Sequence, residues 1–276
     1  MKLSFTTLGC PGWSLDQIVR NAVEYGFDAI DFRGLQGEMN VWKLPELSTN
    51  VKESLALIKD AGLKVSCFSS SVQAVSAEKF EQNLEEVKEY TRLCEAFGTP
   101  YIRVFGGKIG DLDRTEATRL IVKHLKEMAQ IAAASGAKVL VETHDDWTDC
   151  RYMQPVMEQV NHEGAGVLWD LHHPYRTIGE KPEDTWNALG QWIEYTHVKD
   201  SVKVDGTGRR HPHKYVLTGQ GDIPLKGMFQ LLKDKGYEGY YVYEWEKAWY
   251  LEELEEPEVA FPQYAQYMRS ASEELR

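Results

Sequence analysis

No apolar run in these 276 residues approaches the roughly 18 consecutive apolar positions of a membrane span, so a membrane protein is not expected. The start, Met1-Lys2-Leu3-Ser4-Phe5, turns polar at once and lacks the apolar core of a signal sequence, which makes a cytoplasmic location the expectation. Cysteine is scarce: Cys10, Cys67, Cys94 and Cys150 show no C-x-x-C spacing. That excludes a zinc knot or a disulfide framework and leaves free, buried thiols as the expectation. Positive charge is also short, with 31 Lys and Arg against 43 Asp and Glu and a net charge of −12, which argues against a nucleic-acid partner. No G-x-G-x-x-G follows the first apolar run, which speaks against a dinucleotide-binding open sheet. No linker or low-complexity stretch divides the chain, so residues 1–276 read as a single domain.

What is present is a repeating device: an amphipathic stretch, a glycine, then a short apolar run. It recurs at Gly26, Gly62, Gly98, Gly136, Gly164 and Gly236, with steps of 36, 36 and 38 residues between the first four. A glycine just past a helix adopts the left-handed conformation that ends it at little cost. The step is the length of one strand-plus-helix unit. With the first strand at 3–7 and the run ending at His197, the count reaches eight strands, which predicts an α/β fold, a (β/α)₈ barrel. The helices carry their own signals. Ser14-x-x-Gln17 is a capping box followed by Leu15, Ile18, Val19, Ala22 and Val23, and Asp113-x-x-Glu116 opens a helix striped by Ile121, Val122, Leu125, Met128, Ala129 and Ala132. Phe80, Leu84, Val87, Thr91, Cys94 and Phe97 line a third, and Asp222 precedes Ile223-Pro224, where proline suits a first helical turn.

Four apolar runs end on a metal-ligating residue. Val139-Leu140-Val141 leads to Glu142, Val167-Leu168-Trp169 to Asp170, Tyr195-Thr196 to His197, and Tyr241-Val242-Tyr243 to Glu244. In a barrel these would be the ends of strands five, six, seven and eight, on the face that carries active sites. Two Glu, one Asp and one His form an oxygen-rich set suited to one divalent cation such as Mn²⁺ or Mg²⁺. Three carboxylates brought together without a cation would repel strongly.

Taken jointly, several motifs make the chain resemble the sugar phosphate isomerases and epimerases of the xylose-isomerase-like barrel superfamily. They are Thr7-Leu8-Gly9-Cys10-Pro11-Gly12-Trp13-Ser14-Leu15, Ile30-Asp31-Phe32-Arg33, Ile102-Arg103-Val104-Phe105-Gly106-Gly107, Val141-Glu142-Thr143-His144, Trp169-Asp170-Leu171-His172-His173, Thr196-His197-Val198-Lys199-Asp200 and Tyr243-Glu244-Trp245-Glu246. The resemblance spans nearly the whole chain and resembles the ketose 3-epimerases and keto-inositol dehydratases of that superfamily. It implies that Glu142, Asp170, His197 and Glu244 hold one metal ion, with Mn²⁺ first and Mg²⁺, Co²⁺ or Zn²⁺ as alternatives. It also implies that Glu142 and Glu244 act as the acid/base pair, that His173 contacts substrate, and that such proteins form homodimers.

The expected activity is isomerisation or epimerisation of a ketose or related hydroxyketone through an enediolate, with a small carbohydrate as substrate and no nucleic-acid or membrane partner. His144, two residues past Glu142 and followed by Asp145 and Asp146, is an alternative base. That role would favour a lyase or dehydratase acting on a keto-inositol or an oxidised glycoside. Arg33, Arg103 and Lys199 fall at strand ends as candidate contacts for hydroxyls or anions, although each could instead brace neighbouring carboxylates such as Asp31. Glu246 is either a supporting group or a substrate contact. Of His172 and His173, one is expected to face the pocket and the other to pack on Pro174 or Tyr175. Lys203 and the basic stretch from Gly208 to Lys214 are further candidates, and Trp13, Phe105, Trp147, Trp245 and Trp249 could wall the pocket. An abasic-site endonuclease on the same barrel would need further histidines, which Phe68-Ser69-Ser70-Ser71 and Phe105-Gly106-Gly107 do not supply.

Overall fold

The short apolar runs become parallel strands because helices cover their outer faces. The computed structural model describes residues 1–204 and 212–275. Its barrel strands are β1 (Lys2–Thr6), β2 (Ala29–Phe32), β3 (Lys64–Gln73), β4 (Tyr101–Phe105), β5 (Lys138–Glu142), β6 (Ala165–Asp170) and β7 (Ile193–Val198). After β7 the chain makes an antiparallel ribbon, β8 (Asp200–Lys203) and β9 (His213–Val216), and then the last barrel strand, β10 (Tyr240–Tyr243). The closed order is β1-β10-β7-β6-β5-β4-β3-β2, every pairing parallel, as the repeat predicted. The helices are α1 (Leu15–Tyr25), α2 (Val51–Asp60), α3 (Phe80–Phe97), α4 (Arg114–Ala133), α5 (Cys150–Val160), α6 (His173–Ile178), α7 (Pro182–Leu189), α8 (Leu225–Asp234) and α9 (Pro257–Glu274). None of the described helices is long and apolar enough to cross a membrane.

The helix signals hold with three corrections. Ser14 and Gln17 cap α1 reciprocally, and Asp113 accepts the Glu116 N–H at 2.9 Å; each such cap is worth about 1 kcal/mol. Val23, assigned to the buried stripe of α1, is 50% exposed, and Asn21 rather than Val23 joins Leu15, Ile18, Val19 and Ala22 on the buried face. Asp222 does not open α8: Pro224 precedes the first helical residue, and the Asp222 carboxylate pairs with Arg176. Gly164 is not a helix stop either. Asn161, in the left-handed region at φ 40°, ends α5, while Gly164 is small because a Cβ there would lie 2.5 Å from the Ala129 carbonyl. The other five glycines of the repeat all have positive φ. Met128 and Phe97 lie in the core, and the four cysteines are free and buried.

Two cores result from the strand alternation. Outward residues such as Ile30, Phe32, Val139, Val141, Val167, Trp169, Tyr241 and Tyr243 pack against the helices. Inward residues Cys67, Leu140, Leu168, Tyr195 and Val242 form a small separate core inside the barrel. Two residues further along four of these strands come Glu142, Asp170, His197 and Glu244. The candidate ligand set is therefore the next interior layer, with Cys67, Leu140, Leu168, Tyr195 and Val242 beneath it and the strand ends above.

Candidate metal centre

The alternation that fills the barrel brings the four candidate ligands together. One ligating atom from each of Glu142, Asp170, His197 and Glu244 lies within 4.8 Å of all the others, and all four residues are buried. His197 Nδ1 is 3.2 Å from Glu244 Oε1 and 3.5 Å from Glu142 Oε1. Asp170 is fixed by its backbone: its Oδ1 accepts the N–H groups of His172 and His173, each at 2.8 Å, which leaves Oδ2 turned inward.

The chain supplies cations of its own here. Lys199, two residues past His197 on the same face, places Nζ 2.9 Å from Asp170 Oδ2 and 3.0 Å from Glu246 Oε1, and in contact with Glu244 Oε2. Arg103 Nε lies 3.4 Å from Glu142 Oε2. The convergence of carboxylates is thus compensated within the protein, and repulsion alone does not require a metal. What favours one is the pattern of unmet donors. Glu142 Oε1 and Oε2, Asp170 Oδ2 and His197 Nδ1 are buried with no hydrogen-bond partner among the described residues. Their contacts are ion pairs rather than formed hydrogen bonds, which leaves coordination capacity at that depth that a divalent cation, taking the place of a proton on His197, would use. Four carboxylates (Glu142, Asp170, Glu244 and Glu246) meet two permanent cations in direct contact (Arg103 and Lys199), a shortfall that one divalent ion would make good.

Titration behaviour follows from these contacts. Burial alone would raise the Glu142 carboxyl, but Arg103 and His197 override it and bring it down to about 2. Burial opposes the ionised form of Glu244 too, and His197 and Lys199 hold it well below the usual carboxylate range. Asp170 and Glu246 are raised by burial against the pull of Lys199. Burial disfavours the charged forms of His197 and Lys199, yet the surrounding carboxylates raise both well above their ordinary values.

The remaining candidates separate clearly. His173 faces the centre, with Nε2 3.7 Å from Asp170 Oδ2 and its ring edge-on to His144 at 4.6 Å. Burial and the nearby Lys199 push it well below the ordinary imidazole range. His144 lies over Phe105 at 4.8 Å with Nδ1 3.2 Å from Asp145 Oδ2; burial would lower it, but Asp145 and Glu142 raise it. His172 turns away: Nε2 is 2.8 Å from Ser201 Oγ, and the ring packs on His213 and Tyr215 rather than on Pro174 or Tyr175. Lys199 and Arg103 are engaged by the carboxylates, and Glu246 is engaged by Lys199. Arg33 is buried, donates from Nη1 to Ser71 Oγ at 3.0 Å, and is lowered to about 10 by burial and then by Arg103. Of the aromatic candidates, Phe105 stands beside the site. Trp13, Trp147 and Trp245 are buried packing residues, and Trp249 is 50% exposed. Lys203 is exposed at the end of β8. Of the basic stretch, residues 208–211 lie outside the described residues.

Sequence reasoning missed Asp31 and Tyr195 as parts of this centre. Asp31 was weighed only as a brace for arginines, yet it faces His197 Nε2 at 3.4 Å. The signal was available: in Ala29-Ile30-Asp31-Phe32-Arg33 the apolar residues at 30 and 32 face the helices, which leaves 31 and 33 for the interior.

Comparison with known proteins agrees with this architecture. The family model described as xylose isomerase-like TIM barrel matches residues 19–271. The chain is 26% identical over 185 residues to a protein of Streptomyces coelicolor provisionally named hydroxypyruvate isomerase, covering 62% of this chain and 60% of that one. It is also 26% identical over 165 residues to an inosose isomerase of Halalkalibacterium halodurans, covering 58% of each. The chain therefore spans about three fifths of both curated relatives. Among solved structures, that of the probable 3-DHS dehydratase AsbF of Bacillus anthracis, involved in petrobactin synthesis, superposes with a TM-score of 0.81. At 20% identity over 98% of this chain and 99% of that one, this is a likeness of fold.

Proposed function

The chain belongs to the xylose isomerase-like TIM barrel family, and on that premise we propose that it is a divalent-metal-dependent isomerase or epimerase of a ketose or related hydroxyketone, acting through an enediolate. The observation that carries this reading is the buried group of four mutually close ligand residues at the strand ends, three of which (Glu142, Asp170 and His197) carry atoms with no hydrogen bond among the described residues. Glu142, Asp170, His197 and Glu244 would hold the ion, with Mn²⁺ first and Mg²⁺, Co²⁺ or Zn²⁺ as alternatives. When bound, the ion supplies Lewis-acid polarisation of a substrate carbonyl, which acidifies the neighbouring C–H. The chain's own groups do the rest. The Glu142 and Glu244 carboxylates exchange the proton from two sides of the substrate; Arg103 and Lys199 keep them ionised between steps. His173 and Phe105 bound the space beside His144, where the substrate's remaining hydroxyls would lie. The proposed partner is a small carbohydrate, and the proposed assembly is a homodimer.

One observation favours a second reading on the same site. His144 is oriented by Asp145 through Nδ1, so its Nε2 is the nitrogen available to substrate. An imidazole so held is a competent base for β-elimination, which would make the enzyme a lyase or dehydratase of a keto-inositol or an oxidised glycoside. The two readings separate in D₂O, with ketose and keto-inositol panels incubated with metal-loaded protein. Deuterium entering unchanged or epimerised sugar is expected for the first, and loss of water for the second. No activity after metal stripping and reconstitution with each of the four ions, on either panel, would overturn both.

A further inference from the structure

Beneath the ligand layer lies a polar chain that the proposed chemistry does not use. Asp31 is fully buried inside the barrel, and its Oδ1 has no hydrogen-bond partner among the described residues. Its Oδ2 accepts the Tyr195 hydroxyl at 3.2 Å and faces His197 Nε2 at 3.4 Å. Tyr195 Oη is 2.7 Å from Ser66 Oγ, which is 2.8 Å from Ser4 Oγ. Tyr195 donates to the carboxylate, and Ser66, whose proton can go to Tyr195 Oη or to the Ile30 carbonyl at 3.2 Å, links it to Ser4. Strand geometry assembles it. The register slips between Ile30, opposite Val65, and Asp31, opposite Cys67, so Ser66 is skipped and its hydroxyl joins the chain. Irregularities of this kind re-aim side chains near active sites.

Resting on the metal reading above, the geometry points to Asp31 as the positioning residue for the metal-binding imidazole: it holds the His197 proton on Nε2 and so leaves Nδ1 for the cation. The two nitrogens of this ring face different carboxylates. Nδ1 lies among the ligand atoms, 3.2 Å from Glu244 Oε1, while Nε2 looks down at Asp31. An imidazole with no such partner would divide between two tautomers and two ring orientations, and only one of these ligates. Asp31 makes no ion pair with Arg33 or Arg103 among the described residues, so bracing an arginine does not account for it. It also stands outside the group of mutually close ligand atoms, so it is not itself a ligand. Carboxylates placed behind a ligating histidine typically account for about 10–100-fold in metal affinity.

The test uses the full chain, stripped of metal and titrated with Mn²⁺ by calorimetry, for wild type, Asp31→Asn and Tyr195→Phe. It adds a long-range ¹H–¹⁵N spectrum of the histidines in Zn²⁺-loaded wild type. Wild type is expected to bind one Mn²⁺. Asp31→Asn should weaken binding by about 10–100-fold, and Tyr195→Phe by less. The spectrum should show His197 bound through Nδ1 and protonated on Nε2. A merely structural role would lower the melting temperature and leave Mn²⁺ affinity unchanged; folded Asp31→Asn with wild-type affinity overturns the inference, as does Zn²⁺ on Nε2. If Asp31→Asn fails to fold, Tyr195→Phe affinity and the wild-type tautomer decide the matter. Failure of wild type to bind Mn²⁺ or Zn²⁺ is a different outcome, which removes the metal reading itself.

Discussion

A buried ammonium survives only among carboxylates, and Lys199 has three: Asp170, Glu244 and Glu246. Removing one partner of a buried ion pair strands the others, at a cost of about 3–5 kcal/mol. Lys199→Met is therefore expected to destabilise the metal-free protein by roughly that amount, with part of the loss recovered on adding Mn²⁺, which returns positive charge to the same carboxylates. Chemical denaturation with and without Mn²⁺ measures both effects; a metal-free variant as stable as wild type would mean that Lys199 does not hold these groups. Glu142→Gln keeps the shape of its site and removes the proposed ligand and proton acceptor. It should lower turnover by at least about 10²–10⁴-fold while the far-ultraviolet circular dichroism stays that of wild type. The two positions differ in how readable they were. Glu142 ends an apolar run and declares itself. Lys199 reads either as a cation for substrate or as a partner of neighbouring carboxylates, and only the closed barrel, which brings β10 beside β7, sets Glu244 and Glu246 against it.

At the scale of elements, the strands were legible because their outer faces are continuous apolar runs, and the helix stops because glycine marks them. What was not legible is where an element ends on another element's side chain. Gly106, just past β4, is such a place: a Cβ there would lie 2.2 Å from Cδ1 of Trp147, which is fully buried. Trp147 closes the turn of residues 145–147, which begins at His144. Gly106→Ala is thus expected to cost about 1–3 kcal/mol by overpacking and to shift His144 off Phe105. A fall in both melting temperature and kcat is the expected result; an unchanged melting temperature would show that the turn can retreat freely. Asp170 couples elements in the opposite sense. Its Oδ1 binds the two N–H groups that open α6, so the helix start and the ligand geometry are set together.

At the scale of the whole molecule, the site makes stability depend on pH in two opposed ways. Glu142, brought down to about 2, and Glu244, also depressed, bind fewer protons folded than unfolded. Their contribution is fully present above the ordinary glutamate value of about 4.3 and is lost as pH falls through the depressed values. Asp170 and Glu246, raised by burial against Lys199, work against them, so the acid limb is the balance of the two pairs. His197 is raised, so its contribution is fully present below about 6.5 and is lost as pH rises through its folded value. His173 and His172, pushed well below the ordinary imidazole range by burial, cost stability as pH falls below about 6.5, so the metal-free protein should be most stable near that pH. Metal reverses the alkaline half of this curve. Ligation needs a deprotonated Nδ1, so binding expels a proton from His197 and strengthens as pH rises. At a hundred times its dissociation constant the ion adds about 2.7 kcal/mol. Melting curves from acid to mildly alkaline pH, recorded with and without saturating Mn²⁺, should therefore show the stability optimum moving to higher pH on loading. Calorimetry near neutrality in buffers of different ionisation enthalpy should show about one proton released per ion. Coincident optima with no proton release would mean that the cation does not reach His197, and the centre would then be the chain's own network of Lys199, Arg103 and carboxylates.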